Sequence, residues 1–138
     1  MPKPTPQEAL VYLMVILSAS DRDMGDEELA RIGAIVRTLP AFRGFEQART
    51  LAVAQDCQRL LQEKTGLAGV LDLVADALSP ELRETGYALA VDIASADLSV
   101  ELEEDRLLEL LRERFDIERG TGLAIERAAR IRHRPIAQ

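Results

Sequence analysis

The sequence predicts an all-α single domain, and three observations favour this class. Apolar residues recur at the three- and four-residue spacing of buried helix faces. No stretch alternates apolar and polar residues with the period of two that marks a strand. The 138 residues include only eight Gly and six Pro, which is too few for the many turns of an all-β fold. We therefore expect a bundle of about seven helices.

The first half of the chain is predicted to hold three helices. Pro6 suits the first turn of a helix that runs to about Ala19. Because this helix is apolar on all sides, we expect it to be central. A second helix begins at about Asp26 and carries one buried stripe, and a third is predicted over about 46–64.

The second half is predicted to hold four helices. Gly66 marks the break before the fourth, and Ser79 followed by Pro80 is typical of the N-cap and first residue of the fifth. The sixth is predicted over about 101–115, and the seventh follows Gly122. Helices 6–19 and 82–96 are predicted to be the two central ones, with four core positions: Leu13, Leu17, Leu89 and Ile93.

An internal repeat relates the two halves. The segments LMVILSASD and LAVDIASAD end at Asp21 and Asp97, which are 76 residues apart, and Glu28 and Glu104 have the same separation. Each unit is predicted to be a buried helix, an acidic loop and an amphipathic helix, so that two helical hairpins are related by pseudo-twofold symmetry. The halves of this repeat are predicted at about 6–64 and 67–138.

The two acidic loops are the candidate functional sites. A loop that places an Asp at the end of one helix opposite a Glu in the first turn of the next brings carboxylates together. Hard cations prefer several oxygen ligands, so the pattern favours a divalent-cation site, with Ca²⁺, Mg²⁺, Mn²⁺ and Zn²⁺ left open. The predicted ligands are Asp21, Asp23 and Glu28 in the first loop, and Asp97 and Glu104, with Ser99, in the thinner second loop.

Helix capping is an alternative explanation of the same acids. Carboxylates in a first turn are stabilised by the helix dipole by about 0.3–1 kcal/mol each. If Gly25 and Glu101 are the N-caps, then Glu28 and Glu104 occupy the third helical position, from which a Glu can bind the N-cap amide. Capping accounts for neither aspartate of the repeat, and the Glu comes too early for an EF-hand. Both explanations stay open.

Catalysis is not predicted, and neither is an organic cofactor. One Cys and one His cannot make a disulfide or a Cys/His zinc site. No nucleophile has an orienting base near it in sequence, and a carboxylate-bridged di-metal hydrolase would lack histidine ligands. Cys57 is predicted to be a small core residue, and Asp92 to form a salt bridge with a C-terminal arginine.

Charge is distributed unevenly along the chain, whose formal net charge is −7. Residues 1–111 hold 20 acids and 10 bases, whereas 112–138 hold 4 acids and 7 arginines. The acidic body excludes nucleic acid as the main partner, and we expect the C-terminal arginines to pair with acids of the chain. The apolar run Ala9–Leu17 is far shorter than the roughly 20 residues that span a bilayer. It also belongs to the repeat, so we expect a cytoplasmic protein without direct membrane insertion rather than a signal peptide.

The segments Ser18–Leu29 and Tyr87–Asp97, the latter followed by two glutamates, resemble the TerB-type tellurite-resistance family, as does Ala124–Arg130. The resemblance covers nearly the whole chain. It implies a seven-helix cytoplasmic domain that is linked to tellurite and other stress responses and that binds divalent cations and partner proteins. A membrane-associated complex is left open for the partner. Leu98 replaces the usual Gly of the family, which makes metal binding at the second loop less favourable.

Two functions therefore remain in view. One is a non-enzymatic stress-response domain whose acidic loops bind a divalent cation. The other is a metal-independent helical interaction module whose acidic surface binds a basic partner protein.

Overall fold

The computed structural model describes residues 3–18, 25–96, 102 and 105–137. Within these ranges the chain forms seven α-helices, two short 3₁₀ turns and no strand, which confirms the all-α prediction. The helices are α1 (Pro6–Ser18), α2 (Asp26–Thr38), α3 (Thr50–Leu61), α4 (Gly66–Ala77), α5 (Pro80–Ser95), α6 (Arg106–Arg114) and α7 (Arg119–Arg132); the 3₁₀ turns are Pro40–Phe42 and Gln47–Arg49. The division into two repeat halves stays a prediction.

Helix α1 lies at the centre of the bundle. Every residue from Ala9 to Ile16 is buried, and the helix packs against α3, α4 and α5. A helix that is apolar on all sides is stable in water only when other helices surround it. Leu13, Leu89 and Ile93 are buried as predicted, whereas Leu17, in the last turn of α1, is only half-buried.

The start of α1 is held by a complete capping box. Thr5 Oγ1 accepts a hydrogen bond from the Glu8 amide at 3.1 Å, and Glu8 Oε1 accepts one from the Thr5 amide at 2.9 Å. Glu8 also forms an ion pair with Arg49 at 2.6 Å, which joins α1 to the turn before α3. The hydrogen bond from Thr5 and the guanidinium of Arg49 lower the pKa of Glu8 below its ordinary value of 4.5. The sequence signal is the Thr that lies three residues before the Glu.

We expect Thr5→Ala to lower the free energy of unfolding by about 1 kcal/mol, because the Glu8 amide loses its cap.

Since the folded pKa of Glu8 is below its unfolded value, its charge stabilises the fold above the unfolded pKa, and this contribution disappears as the pH falls through the folded pKa. Glu8→Gln should therefore be less stable than wild type at neutral pH and equally stable in acid. Denaturation across pH measures this, with exposed Glu63→Gln as the control. A pH-independent difference for Glu8→Gln would contradict the prediction.

Between α2 and α4 the structure has two 3₁₀ turns and a shorter third helix than predicted. Helix α3 covers Thr50–Leu61 rather than 46–64, because a 3₁₀ turn precedes it and Thr50 Oγ1 donates to the Gln47 carbonyl oxygen at 2.8 Å. Gly66 has a φ of +51°, in the left-handed region that glycine adopts without strain. It reverses the chain between α3 and α4, which confirms the predicted break.

Helix α5 begins as predicted and approaches α1 closely. Ser79 is the N-cap, its Oγ accepts a hydrogen bond from the Leu82 amide at 3.2 Å, and Pro80 is the first helical residue. Gly86 faces α1 across this contact, where a Cβ atom would lie only 2.7 Å from Leu13 Cδ1. The missing side chain at position 86 therefore determines how near the two central helices come.

Helix α6 starts later than predicted. Its first residue is Arg106 and its N-cap is Asp105, whose Oδ1 accepts hydrogen bonds from the amides of Leu107 at 2.9 Å and Leu108 at 3.4 Å. The expectation that Glu101 caps this helix is wrong, because a carboxylate one residue before the helix satisfies the free amides directly.

Helix α7 starts earlier than predicted, at Arg119 rather than after Gly122. Glu118 is the N-cap, and its Oε1 accepts a hydrogen bond from the Gly120 amide at 3.0 Å. Gly122 lies inside the helix and is buried, and a Cβ there would contact Ile117 at 3.5 Å. This glycine serves close packing, not helix termination.

Two single-residue predictions are confirmed. Asp92 Oδ1 forms an ion pair with Arg132 Nη2 of α7, and His133 Nε2 lies 3.7 Å from the same oxygen. Cys57 is fully buried, and its Sγ lies 3.7 Å from the Tyr12 carbonyl oxygen. Burial raises the pKa of this thiol to about 12, so Cys57 is a neutral core residue.

Candidate functional site

Only one of the predicted metal ligands belongs to the residues that the structure describes. Asp21, Asp23, Asp97 and Glu104 lie outside the described residues, as does Ser99. Glu28 lies inside them, in the first turn of α2. The structure thus brings the loop-flanking helices α1, α2, α5 and α6 into one bundle, and it locates one predicted ligand.

The Glu28 side chain folds back towards the loop that precedes α2. Gly25 is the N-cap, with extended backbone at φ −76° and ψ 170°, and Glu28 is the third helical residue. A Cβ atom on residue 25 would lie 2.7 Å from Glu28 Oε2. The carboxylate therefore occupies the space that a side chain at the N-cap would fill, and it is half-buried there.

This carboxylate has no partner in the part of the chain that the structure describes. No hydrogen bond joins it to the Gly25 amide, so the capping box considered from the sequence is absent at this helix. Glu8 holds the same third position in α1 and there makes both the capping bond and an ion pair with Arg49. Two glutamates at equivalent helix positions thus differ in whether their charge is satisfied.

The first turn of α2 is also strongly acidic. Asp26 and Glu27 precede Glu28 and are exposed. The positive end of the helix dipole offsets part of their repulsion, by about 0.3–1 kcal/mol per charge. No group of three possible metal ligands occurs within the described residues, so a cation here would need Asp21 and Asp23 in addition to Glu28.

The second loop is not equivalent to the first. Asp105 uses one carboxylate oxygen to bind two amides of α6, which fixes that acid in a structural role. Leu102 is buried within the loop region, with 4% of its surface exposed. Because α6 begins at Arg106, its third helical residue is Leu108, whereas α2 has Glu28 at that position.

A buried polar cluster joins α5, α6 and α7, and it was not predicted from the sequence. Tyr87 Oη donates to Glu126 Oε2 at 2.5 Å, and Arg112 Nη1 lies 2.9 Å from that oxygen and 2.7 Å from the Tyr87 hydroxyl. Glu126 is 2% exposed, and Tyr87 is fully buried. Burial and the hydrogen bond to Glu126 raise the pKa of Tyr87 above its ordinary value. A charged residue on the buried face shared by Gly122 and Ala129 is the signal that could have indicated it.

A groove of about 430 Å³ adjoins this cluster between α6 and α7. The Arg112–Glu126 ion pair is part of its lining. The lining residues are Arg112, Glu113, Asp116, Ile117, Arg119, Leu123 and Glu126. The mixed signs of these side chains give the groove no single charge preference.

Comparison with protein families decides what kind of domain this is. The family model described as "Tellurite resistance protein TerB" matches residues 7–126. The chain belongs to the TerB family. The resemblance inferred from the sequence is thereby confirmed, and the chain is a tellurite-resistance-type domain.

The TerB match runs from α1 to Glu126 inside α7 and so includes both acidic loops and the buried Tyr87–Arg112–Glu126 cluster. No curated protein and no solved structure matches the chain. None of the described helices of this TerB-family chain is long and apolar enough to cross a bilayer.

Proposed function

We propose that this TerB-family chain is a non-enzymatic, cytoplasmic stress-response domain that binds a divalent cation through its first acidic loop. The proposed ligands are Asp21, Asp23 and Glu28, with backbone oxygens or waters completing the coordination. Asp97 and Glu104 form a weaker second site in this proposal.

The observation that carries the proposal is that the Glu28 carboxylate has no partner among the residues that the structure describes. It is half-buried, it points back over Gly25 towards the loop, and it makes none of the capping contacts that satisfy Glu8. A partly desolvated carboxylate without a hydrogen-bonding partner is unfavourable unless a cation or donor compensates it. A cation shared with the aspartates of the loop supplies that compensation.

Membership of the TerB family supports the same assignment at a coarser level. The matched range includes both loops, which are separated by the 76-residue repeat. The second loop is proposed to be weaker for two reasons. Leu98 stands where the family usually has Gly, and the nearby Asp105 carboxylate is already bound to α6 amides.

A cation that binds the folded state stabilises it by RT ln(1 + [L]/Kd), which is about 2.7 kcal/mol at a hundredfold excess over Kd. For a domain of this size that corresponds to a rise in Tm on the order of 10 °C. We expect wild type to show such a rise with at least one of Ca²⁺, Mg²⁺, Mn²⁺ and Zn²⁺, and calorimetric titration of the chelator-treated protein gives the stoichiometry.

Variants locate the site. Asp21→Asn with Glu28→Gln should melt no lower than wild type in chelator, because it removes carboxylate repulsion, and should lose the metal-dependent rise in Tm. Glu27→Gln is the matched control, since it removes an exposed acid from the same helical turn and should keep the response.

Absence of any rise in the wild type would contradict cation binding. The alternative function would then apply, in which the acids form a docking surface for a basic partner protein. The exposed pair Asp26 and Glu27, adjacent to Glu28, is the observation that favours this alternative.

A further inference from the structure

The outer face of α7 combines arginines with exposed apolar residues. Arg119, Leu123, Arg127 and Ile131 follow one another at intervals of four residues, and all four are exposed, Leu123 and Ile131 each by 49%. Residues four apart are neighbours on a helix surface, so these side chains form one continuous row about 18 Å long. We call this row the α7 stripe.

The opposite face of α7 fixes the orientation of the stripe. Gly122, Glu126 and Ala129 are buried against the bundle. Arg112 of α6 binds Glu126 at the middle of the helix, and Asp92 of α5 binds Arg132 at its end. With one ion pair at its middle and one at its end, α7 cannot rotate without breaking an ion pair, so the stripe is preorganised for binding.

The two arginines of the stripe are not used by the described fold. Many arginines of this acidic chain pair with its own carboxylates, among them Arg49 with Glu8 and Arg114 with Asp72. Arg119 and Arg127 make no ion pair with any residue that the structure describes. Other exposed arginines, such as Arg31 and Arg37 of α2, also lack a described ion pair, but Arg119 and Arg127 alternate with the exposed Leu123 and Ile131. This combination of positive charge and exposed apolar surface on one row matches an anionic and partly apolar partner.

We propose that the α7 stripe is a docking surface for an acidic amphipathic helix of a partner protein. Carboxylates at eight-residue intervals on such a helix match the spacing of Arg119 and Arg127, and apolar residues midway between them match Leu123 and Ile131. The proposal is independent of cation binding by the first loop. Arg127 and Ile131, the second half of the stripe, also lie outside the family match, which ends at Glu126.

The groove beside α6 influences where the acidic and the apolar side chains of the partner helix bind. Ile117 and Leu123 form apolar parts of its wall, and Glu113 and Asp116 lie on the α6 side. These two acids repel a carboxylate, so they direct the acidic residues of the partner towards Arg119 and Arg127. An apolar side chain of the partner enters the groove between Ile117 and Leu123.

A lipid surface and a nucleic acid fit the stripe less well. An interfacial membrane helix buries a continuous apolar face, whereas Leu123 and Ile131 are separated by a guanidinium group and are only half-exposed. Nucleic acid binding requires a concentrated basic face, and a chain of net charge −7 repels phosphate outside this row.

The test uses a fluorescently labelled synthetic helix in which glutamates and leucines alternate at four-residue intervals along one face, together with a scrambled peptide of the same composition. We expect anisotropy titration of the full chain to show salt-sensitive binding of the ordered peptide and weaker binding of the scrambled one. Arg119→Gln with Arg127→Gln should reduce the affinity about tenfold or more. Leu123→Ser should also weaken binding, and circular dichroism should show both variants folded.

Arg31→Gln with Arg37→Gln is the matched control, because it removes two exposed arginines from α2 and changes the net charge equally. It should keep the wild-type affinity. Equal losses in the two double variants, or equal binding of the two peptides, would mean general electrostatic attraction and would overturn the proposal. Failure to bind the peptide would also overturn it. So would preferential binding to phosphatidylglycerol vesicles that depends on Arg119 and Arg127.

Discussion

Replacing Glu126 with alanine is expected to lower the free energy of unfolding by about 3 kcal/mol. The substitution leaves the Arg112 guanidinium without its carboxylate and removes the acceptor of the Tyr87 hydroxyl, which is fully buried. Breaking a buried pair by removing one partner costs about 3–5 kcal/mol, and the lower end applies because a quarter of the Arg112 side chain is exposed.

Chemical denaturation measures this loss, and Glu113→Ala is the control. Glu113 is an exposed acid beside Arg112 in α6, so its removal should change stability by no more than about 0.5 kcal/mol. Tyr87→Phe should cost about 1 kcal/mol, since it removes the hydroxyl alone. Replacing Arg112 and Glu126 together with methionine should cost less than the sum of the single replacements. A Glu126→Ala loss below about 1 kcal/mol would show that the cluster does not anchor α7.

Leu13→Ala is expected to lower the free energy of unfolding by about 2–5 kcal/mol, because it opens a cavity at the contact between α1 and α5. Leu13 is fully buried, and its Cδ1 lies 2.7 Å from the position that a Cβ on Gly86 would occupy. Gly86→Ala alone should also be destabilising, since Leu13, Leu10 and Leu78 already fill the space around that position.

The two substitutions should compensate in part. With the leucine side chain shortened, the methyl group introduced at position 86 no longer clashes with it and fills some of the cavity. The double variant should therefore be more stable than the sum of the two single losses predicts. Exposed Gly44, where nothing lies within 4 Å of a Cβ, is unsuitable as a control because its φ is +86°. Gly33 in α2, with equally open surroundings and helical backbone, is the matched site for Gly→Ala. Strict additivity would contradict the close α1–α5 contact.

Local sequence signals predicted helix boundaries correctly where the chain has capping or helix-breaking residues. Ser79 and Pro80 started α5 as expected, because an N-cap hydroxyl and a residue with fixed φ act within one turn. Gly66 marked the reversal before α4 for the same local reason. The boundaries of α3, α6 and α7 were predicted less well. A 3₁₀ turn precedes α3, and the caps Asp105 and Glu118 have other acids close to them in sequence.

The sequence indicated which acids are candidate site residues, but not which of their carboxylates pair with another residue. A Glu three residues after a possible N-cap occurs at both Glu8 and Glu28. The fold brings Arg49 to Glu8, across more than 40 residues of chain, whereas no described residue pairs with Glu28. Which carboxylate is satisfied depends on neighbours that are distant in sequence, so spacing along the chain could not distinguish the two.

The sequence by itself determined the all-α class, the central position of α1 and the TerB family, because hydrophobic periodicity and short motifs are properties of neighbouring residues. Tertiary structure alone decided that Tyr87, Arg112 and Glu126 share one buried cluster and that Arg132 is the C-terminal arginine that pairs with Asp92. It also decided that the arginines of the α7 stripe face outward. The physical reason is that a charge selects its partner through space: an ion pair between α5 and α7 exists only after the packing of apolar side chains has placed those helices together.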